Sequence, residues 1–213
     1  MKVGVIGSGV VAQTLGAGLL KHGHEVALGT GHPDKLKDWR AKHPSARVET
    51  FAETAAFGDI LILAVSGEVA LEALGQIGAA ALGDKAILDA TNPIGGGPPA
   101  HGVLSYFTTL KDSLMERLQK AFPRARFVKA FNSVGAGQMV NPHFAVGKPT
   151  MFICGNDASA KEIATKLLDQ FGWETMDMGA VEAARAIEPL CMLWCIPGIA
   201  NNDWSPRAFN MLR

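Results

Sequence analysis

The sequence predicts a doubly wound α/β fold, with a mostly parallel sheet and helices on both of its faces. Short apolar segments bounded by turn residues alternate with stretches of helical spacing, which is the pattern of successive βαβ units. Residues 59–65 form a continuous apolar run, as expected of a parallel strand that is buried on both faces. A glycine-rich turn directly follows the first predicted strand, residues 2–6. Together these observations predict a Rossmann-type domain.

The turn after the first strand has the pattern G-x-G-x-x-A, which ends at Ala12. Its two glycines let the backbone turn sharply and lie close to a diphosphate, and Ala12 lets the next helix pack closely on the strand. The free N–H groups and the dipole at a helix N-terminus favour an anion at this place. The pattern therefore predicts a dinucleotide site formed by Gly7, Ser8, Gly9, Val10 and Val11.

The end of the second predicted strand, residues 25–28, selects the form of the dinucleotide, because the adenosine ribose lies there. An acidic residue would bind the 2′-hydroxyl of NAD, whereas cationic or hydroxyl groups accept the 2′-phosphate of NADP. No acidic residue follows this strand directly; the residues available are Thr30, Gly31, His32 and Lys35. The pattern favours NADP(H) and leaves NAD(H) open.

The carboxyl ends of the later strands complete the predicted site, because ligands of open α/β sheets bind outside these ends. After residues 59–65 and 85–90, the cofactor crevice should be lined by Ala64, Val65, Ser66, Asn92 and Pro93. Asn132 and Val134 follow the strand at residues 126–131, where a substrate would bind. The Gly- and Pro-rich residues 94–102 form either a mobile flap or a plain connection.

One domain, residues 1–213, is predicted from the length of the chain. Residues 148–213 should extend the sheet and form a dimerisation helix at residues 181–196. The tail beyond this helix is more apolar than a solvated C-terminus, and packing on a second subunit is the preferred explanation over folding back on the chain. The side chains concerned are Trp194, Trp204, Phe209 and Met211.

Composition limits the partners of the protein. Lysine plus arginine and aspartate plus glutamate each total 20, and this zero net charge argues against nucleic acid as a partner.

No apolar run of about 20 residues is recognised, so no membrane association is expected and a cytoplasmic location is predicted. Three cysteines without a Cys-x-x-Cys pair suit a reducing compartment and buried packing, and no metal site is predicted.

Several segments, in this order and spacing, resemble the coenzyme F420-dependent NADP oxidoreductase family, whose fold is shared by the NADPH-binding domain of the membrane metalloreductases. The resemblance covers nearly the whole chain. The segments are residues 5–9, 89–93, 128–132, 152–157, 177–179 and 184–190.

The resemblance implies a homodimer that transfers a hydride between NADP(H) and a small-molecule redox acceptor such as F420 or a flavin. It places the residues after Gly7 at the diphosphate and Thr30 at the 2′-phosphate. It places Asn92, Pro93, Asn132 and Val134 near the nicotinamide and its acceptor. Family members carry arginines at the positions of Gly31 and His32, and deazaflavin-binding members carry a histidine at the position of Asn132 and a proline and a bulky residue at residues 66–67.

Hydride transfer between stacked rings needs the reacting atoms held at about 3–3.5 Å with water excluded, and little acid–base help. No catalytic residue is therefore predicted. One alternative, the reduction of a small carbonyl or imine, needs a proton donor, for which Lys129 and His101 are the candidates. Another alternative is a module that binds the dinucleotide without turnover.

Overall fold

Within residues 1–212, which are the residues that the computed structural model describes, six strands form one parallel sheet. The strands are β1 (Lys2–Ile6), β2 (Glu25–Gly29), β3 (Arg47–Glu49), β4 (Ile60–Leu63), β5 (Ala86–Asp89) and β6 (Arg126–Lys129). Their order, β3-β2-β1-β4-β5-β6, changes direction between β1 and β4. This point is the topological switch at which α/β sheets bind ligands, and the predicted doubly wound fold is confirmed.

Helices cover both faces of this sheet. They are α1 (Val10–Lys21), α2 (Lys37–Lys42), α3 (Phe51–Phe57), α4 (Ala70–Ile77), α5 (Ala79–Leu82), α6 (Leu114–Ala121), α7 (Ala158–Gln170), α8 (Ala184–Ile187) and α9 (Pro189–Asn201). Thr50 and Ser113 form capping boxes that begin α3 and α6.

The alternation of side chains along the strands divides the core into two layers. On one face, Val3 and Ile62 pack with Leu15 of α1 and with Leu167 of α7. On the other face, side chains such as Leu61 pack with α4 and α6. Because β4 is covered on both sides, its sequence is apolar without interruption, as predicted.

Two further strands, β7 (Thr150–Ile153) and β8 (Glu174–Asp177), form a parallel pair of their own. This pair contacts β6 through an isolated antiparallel bridge between Lys129 and Cys154. The prediction that residues 148–213 extend the main sheet is therefore wrong. The reason is that β7 pairs along its whole length with β8, whereas its link to β6 is an isolated bridge at Cys154, just beyond the end of β7.

The C-terminal helix is longer than predicted and is broken near its start. A 3₁₀ turn (Val181–Ala183) leads into α8, and α9 continues past residue 196 through Pro197 to Asn201. Residues 181–201 form a helical stretch of 21 residues that contains an 18-residue window with a mean hydropathy of 1.3, of which 28% is buried. By length and composition alone, this stretch is long and apolar enough to cross a membrane. The charged residues Glu182, Arg185 and Glu188 interrupt the first half of this stretch, and its uninterrupted apolar run is residues 189–200.

The tail returns to its own chain. The Trp194 indole donates to the Arg207 carbonyl at 3.0 Å, and the Thr150 amide donates to the Phe209 carbonyl at 2.9 Å. Trp194 and the tail at Phe209 therefore pack on their own chain. Sequence analysis preferred packing on a second subunit for these residues. Leu193 and Leu212 remain exposed.

Candidate dinucleotide site

The turn between β1 and α1 fits a diphosphate because its glycines have distinct geometric tasks. Gly7 is buried with φ of +144°, and a Cβ there would collide with the Ala64 carbonyl. Its amide donates to the Gly29 carbonyl at 2.9 Å, which fixes the turn against β2. Gly9 is exposed with φ of −75°, and a Cβ there would meet nothing within 4 Å. Gly7 thus serves the fold, whereas Gly9 leaves space in front of the helix.

The N-terminus of α1 is open to an anion. No side chain caps it, and its first turn contains no acidic residue. A cleft of about 230 Å³ lies in front of it, lined by Gly9, Val10, Val11, Ala64, Val65, Ser66 and Ala90. The structure brings six of the predicted cofactor residues together in this cleft, and it adds Ala90, which sequence reasoning missed because alanine carries no polar signal. Gly7 and Ser8 lie immediately beside it in the chain.

The predicted 2′-phosphate residues follow β2 at the other side of the turn. Thr30 is buried, and its Oγ1 accepts the His32 amide at 2.9 Å. Gly31, His32 and Lys35 are exposed, and a Cβ at Gly31 would meet nothing within 4 Å. Thr30 therefore stabilises the conformation of this loop. The exposed side chains of His32 and Lys35 are the ones able to approach a phosphate.

Two asparagines link the strand ends on the opposite side of the switch point. The Asn92 Nδ2 donates to the Asn132 carbonyl at 2.8 Å, and the Asn132 Nδ2 donates to the Asn92 Oδ1 at 3.2 Å and to the Ile187 carbonyl at 3.0 Å. Asn132 is 3% exposed, whereas Asn92 is half-buried. Asn132 thus holds Asn92 and the start of the C-terminal helices in place, and Asn92 is the more exposed of the two asparagines. Pro93 and Val134, also predicted here, are both buried.

Lys129 lies at the centre of a buried charge cluster. Its Nζ lies 2.6 Å from Asp89 Oδ2 and 2.9 Å from Glu188 Oε1, and it donates to the Thr91 carbonyl at 2.9 Å. Burial alone would lower the pKa of Lys129, but the two carboxylates more than offset it and the pKa is raised. A fully buried, permanently charged and fully bonded ammonium does not protonate a substrate. The cluster instead fixes the loop that carries Asn92.

Glu188 is the functional residue that sequence reasoning missed. Its carboxylate accepts the amides of Leu114 and Met115 at 3.0 Å each, so it joins α6 to the C-terminal helices as well as pairing with Lys129. The signal was present, because a lysine inside a buried strand requires a buried carboxylate partner. The spacing of 59 residues between Lys129 and Glu188 concealed which carboxylate it is.

Two further side chains that could donate a proton, Tyr106 and His101, are not among the residues that line the cleft. Tyr106 donates its hydroxyl to the Glu188 carbonyl at 2.9 Å, and burial raises its pKa. His101 is exposed, and a Cβ on the adjacent Gly102 would collide with Ala200 of α9, so this loop packs on the C-terminal helix. Antiparallel bridges such as Ile94–Tyr106 hold residues 94–106, which favours a fixed connection over a flap.

The cysteines are free thiols. Cys154 and Cys191 are buried and Cys195 is half-buried. Burial raises the pKa of Cys154 to about 12, which keeps it protonated. Among residues 1–212, no group of three or more histidine, cysteine or acidic side chains is arranged to hold a metal ion.

The geometry defines a class of protein, one that binds a dinucleotide at the switch point of a doubly wound sheet. A family model described as "NADP oxidoreductase coenzyme F420-dependent" matches residues 2–93. A solved structure from Arthrobacter sp. FB24, provisionally named an F420-dependent NADP-reductase, is 32% identical with a TM-score of 0.92, and both chains are covered over 100% of their length. The chain belongs to the coenzyme F420-dependent NADP oxidoreductase family and is an NADP-dependent oxidoreductase. The resemblance inferred from sequence is confirmed.

Curated relatives share only this portion of their length. Rat metalloreductase STEAP3 is 29% identical over 92% of the chain but 38% of the relative, and human metalloreductase STEAP2 is 26% identical over 88% of the chain and 35% of the relative. The chain thus spans little more than a third of these proteins. A Streptomyces aurantiacus imine reductase, 15% identical with a TM-score of 0.69 over 94% of this chain and 64% of its own, shares the fold.

Proposed function

We propose that the protein uses NADPH to reduce a planar ring acceptor of the F420 or flavin type. The observation that supports this proposal is the pairing of an open α1 N-terminus and cleft with a strand-end region whose lysine is fully bonded. Gly7, Ser8, Gly9, Val10 and Val11 would hold the diphosphate. Ala64, Val65, Ser66, Asn92 and Pro93 would surround the nicotinamide.

NADPH held by these residues would supply a hydride, and the acceptor would take up a proton from solvent. The residues of the chain hold the two reacting rings in position and take no part in acid–base chemistry. Asn132 holds Asn92 from behind through two hydrogen bonds, and the Lys129 cluster fixes the backbone at Thr91. Such rigid support is what a transfer over about 3–3.5 Å requires.

The proposal is tested by following NADPH absorbance in parallel assays with F420, FMN, a ferric chelate, a small ketone and a small imine. We expect turnover with at least one ring acceptor, because the site offers orientation and no proton donor. Oxidation only with a small ketone or imine would contradict the proposal and favour the carbonyl or imine alternative. Tight NADPH binding without oxidation by any acceptor would favour a non-catalytic module.

A single arginine should strengthen the preference for NADPH. Gly31 is exposed, has open space at its Cβ position and lies beside His32, at the proposed 2′-phosphate site. We expect Gly31→Arg to lower the Kd for NADPH about tenfold, as one charge-assisted bidentate contact does, and to leave the Kd for NADH within about twofold. Calorimetric titration of both nucleotides checks this. An equal gain for NADH, or none for NADPH, would place the 2′-phosphate elsewhere; Gly31→Gln is the uncharged control.

We propose further that residues 1–213 act as one unit, that the protein works in the cytoplasm, and that it pairs as a homodimer. The buried pairing of Glu188 with Lys129 supports a helical stretch 181–201 that belongs to the fold. Exposed apolar side chains of α9 and the tail, Leu193 and Leu212, support a self-association surface.

A further inference from the structure

A groove with aromatic walls opens at the carboxyl end of β6. It has a volume of about 350 Å³, with residues 135–138 as its floor and Trp194, Trp204, Ser205 and Pro206 as its walls. The two indole rings lie 6.2 Å apart at an interplanar angle of 42°. This volume lies within the range of small-molecule sites, which is about 300–1,000 Å³. The groove is therefore large enough to hold a planar organic ring.

The outer wall is built by the tail and is held rigidly. One face of Trp204 lies against α9, since a Cβ at Gly198 would collide with its ring, yet 54% of Trp204 is exposed. Asp203 accepts the Ser205 amide and hydroxyl at 3.0 and 2.6 Å and pairs with Arg207 at 2.9 Å. An exposed indole that is fixed in place loses little entropy when a ring stacks on it.

The floor of the groove continues the proposed nicotinamide region. Gly135 follows Val134 directly, three residues after Asn132. The short 3₁₀ helix at Ala136–Gln138 contacts α1, the helix whose N-terminus faces the diphosphate. Gly137 is exposed, with open space at its Cβ position, so the floor is low and free of side chains there. The groove thus lies beside the cofactor helix.

We propose that this groove binds the planar ring of the hydride acceptor, with Trp204 as the stacking surface. The inference rests on the proposed function and extends it by assigning the acceptor site. A flat ring suits the groove because stacking needs an aromatic face, which the half-exposed Trp204 provides, and an open approach, which Gly137 leaves. The ring of Trp194 covers the floor at Gly135. An octahedral ferric chelate has no flat face to offer and should not depend on Trp204.

The test uses the full-length protein with FMN as the probe, and F420 in parallel. We expect Trp204→Ala to raise the Kd of FMN, measured by quenching of the FMN fluorescence, and its KM in NADPH oxidation, each about tenfold, as loss of a stacking partner does. Trp204→Phe should retain affinity within about threefold, since phenylalanine keeps a stacking face. The Kd for NADPH should stay within about twofold in both variants.

Two further variants keep the test decisive. Gly137→Leu adds a side chain into open space, so we expect it to fold normally and to weaken FMN binding by obstructing the groove. Val146→Ala removes another exposed apolar side chain, 82% exposed, and serves as the control without effect. If Trp204→Ala and Gly137→Leu change FMN affinity no more than Val146→Ala, the acceptor binds elsewhere. A Trp204→Ala protein that becomes monomeric with unchanged FMN affinity would make the groove an interface instead, and would equally overturn the proposal.

Failure of the proposed function is distinguishable from failure of this site. FMN binding is measured without turnover, so a protein that binds FMN through Trp204 but oxidises no NADPH would retain the site and lose the function. Turnover with FMN that is insensitive to both groove variants would retain the function and lose the site.

Discussion

Replacing Gly7 by alanine is expected to abolish measurable NADPH binding and to lower the melting temperature. The new Cβ would collide with the Ala64 carbonyl, and alanine would have to adopt a φ of +144°. Such a conformation costs a non-glycine residue about 1–3 kcal/mol before the collision is counted. A total loss of about 3 kcal/mol corresponds to about 6–12 °C in a domain of this size. Thermal denaturation and nucleotide titration measure the two effects.

Gly9→Ala is the matched control for this prediction. Its Cβ would meet nothing within 4 Å and its backbone angle suits any residue, so the melting temperature should change little. Because a diphosphate would approach this position closely, NADPH affinity should nevertheless fall about tenfold or more. An alanine at position 9 that binds NADPH as tightly as glycine would show that the diphosphate does not lie at this turn.

Replacing Lys129 by methionine is expected to destabilise the protein by about 3–5 kcal/mol, because two carboxylates would remain in the core without a counter-charge. The Lys129 ammonium is fully buried, and its ion pairs with Asp89 and Glu188 measure 2.6 and 2.9 Å. Urea unfolding followed by circular dichroism measures the loss. Retention of near-native stability would show that the cluster is not charged as the geometry indicates.

Lys148→Met is the control for this variant. It also removes a lysine from an ion pair, with Asp169 at 2.8 Å, but both side chains are more than half exposed, so the effect should be below about 1 kcal/mol. The wild-type pH profile provides a further check. Since the folded-state pKa of Lys129 is raised, its contribution is fully present below the unfolded value of about 10.4 and is lost as the pH rises above it.

Much of the sheet and the turn between β1 and α1 could be predicted because their signals are local. The uninterrupted apolar run at residues 59–65 indicated a central strand, and the glycines at residues 7 and 9 indicated the turn that the structure contains. The helix caps at Thr50 and Ser113 likewise depend on residues three apart. Local rules of sterics and hydrogen bonding decide such features.

The remainder depends on contacts between distant segments, which one sequence does not specify. Asn132 was expected to face a substrate, but its partners are Asn92 and the Ile187 carbonyl, 55 residues away. The placement of β7 was wrong for the same reason, since the apolar pattern is identical for a strand inside the sheet and one beside it. The course of the tail over α9 depends on the fit of Trp204 against Gly198, which no periodicity records.

The Lys129 cluster has a consequence for how the gene could be divided. Asp89, Lys129 and Glu188 come from three distant parts of the chain and meet in one buried cluster of two carboxylates and one ammonium. A fragment ending after β6 would contain the nucleotide-binding turn but would lack Glu188, and it would leave the start of α6 without its acceptor. The nucleotide-binding half of this protein is thus not a portable module, and fusion or shuffling must carry the chain through at least residue 188.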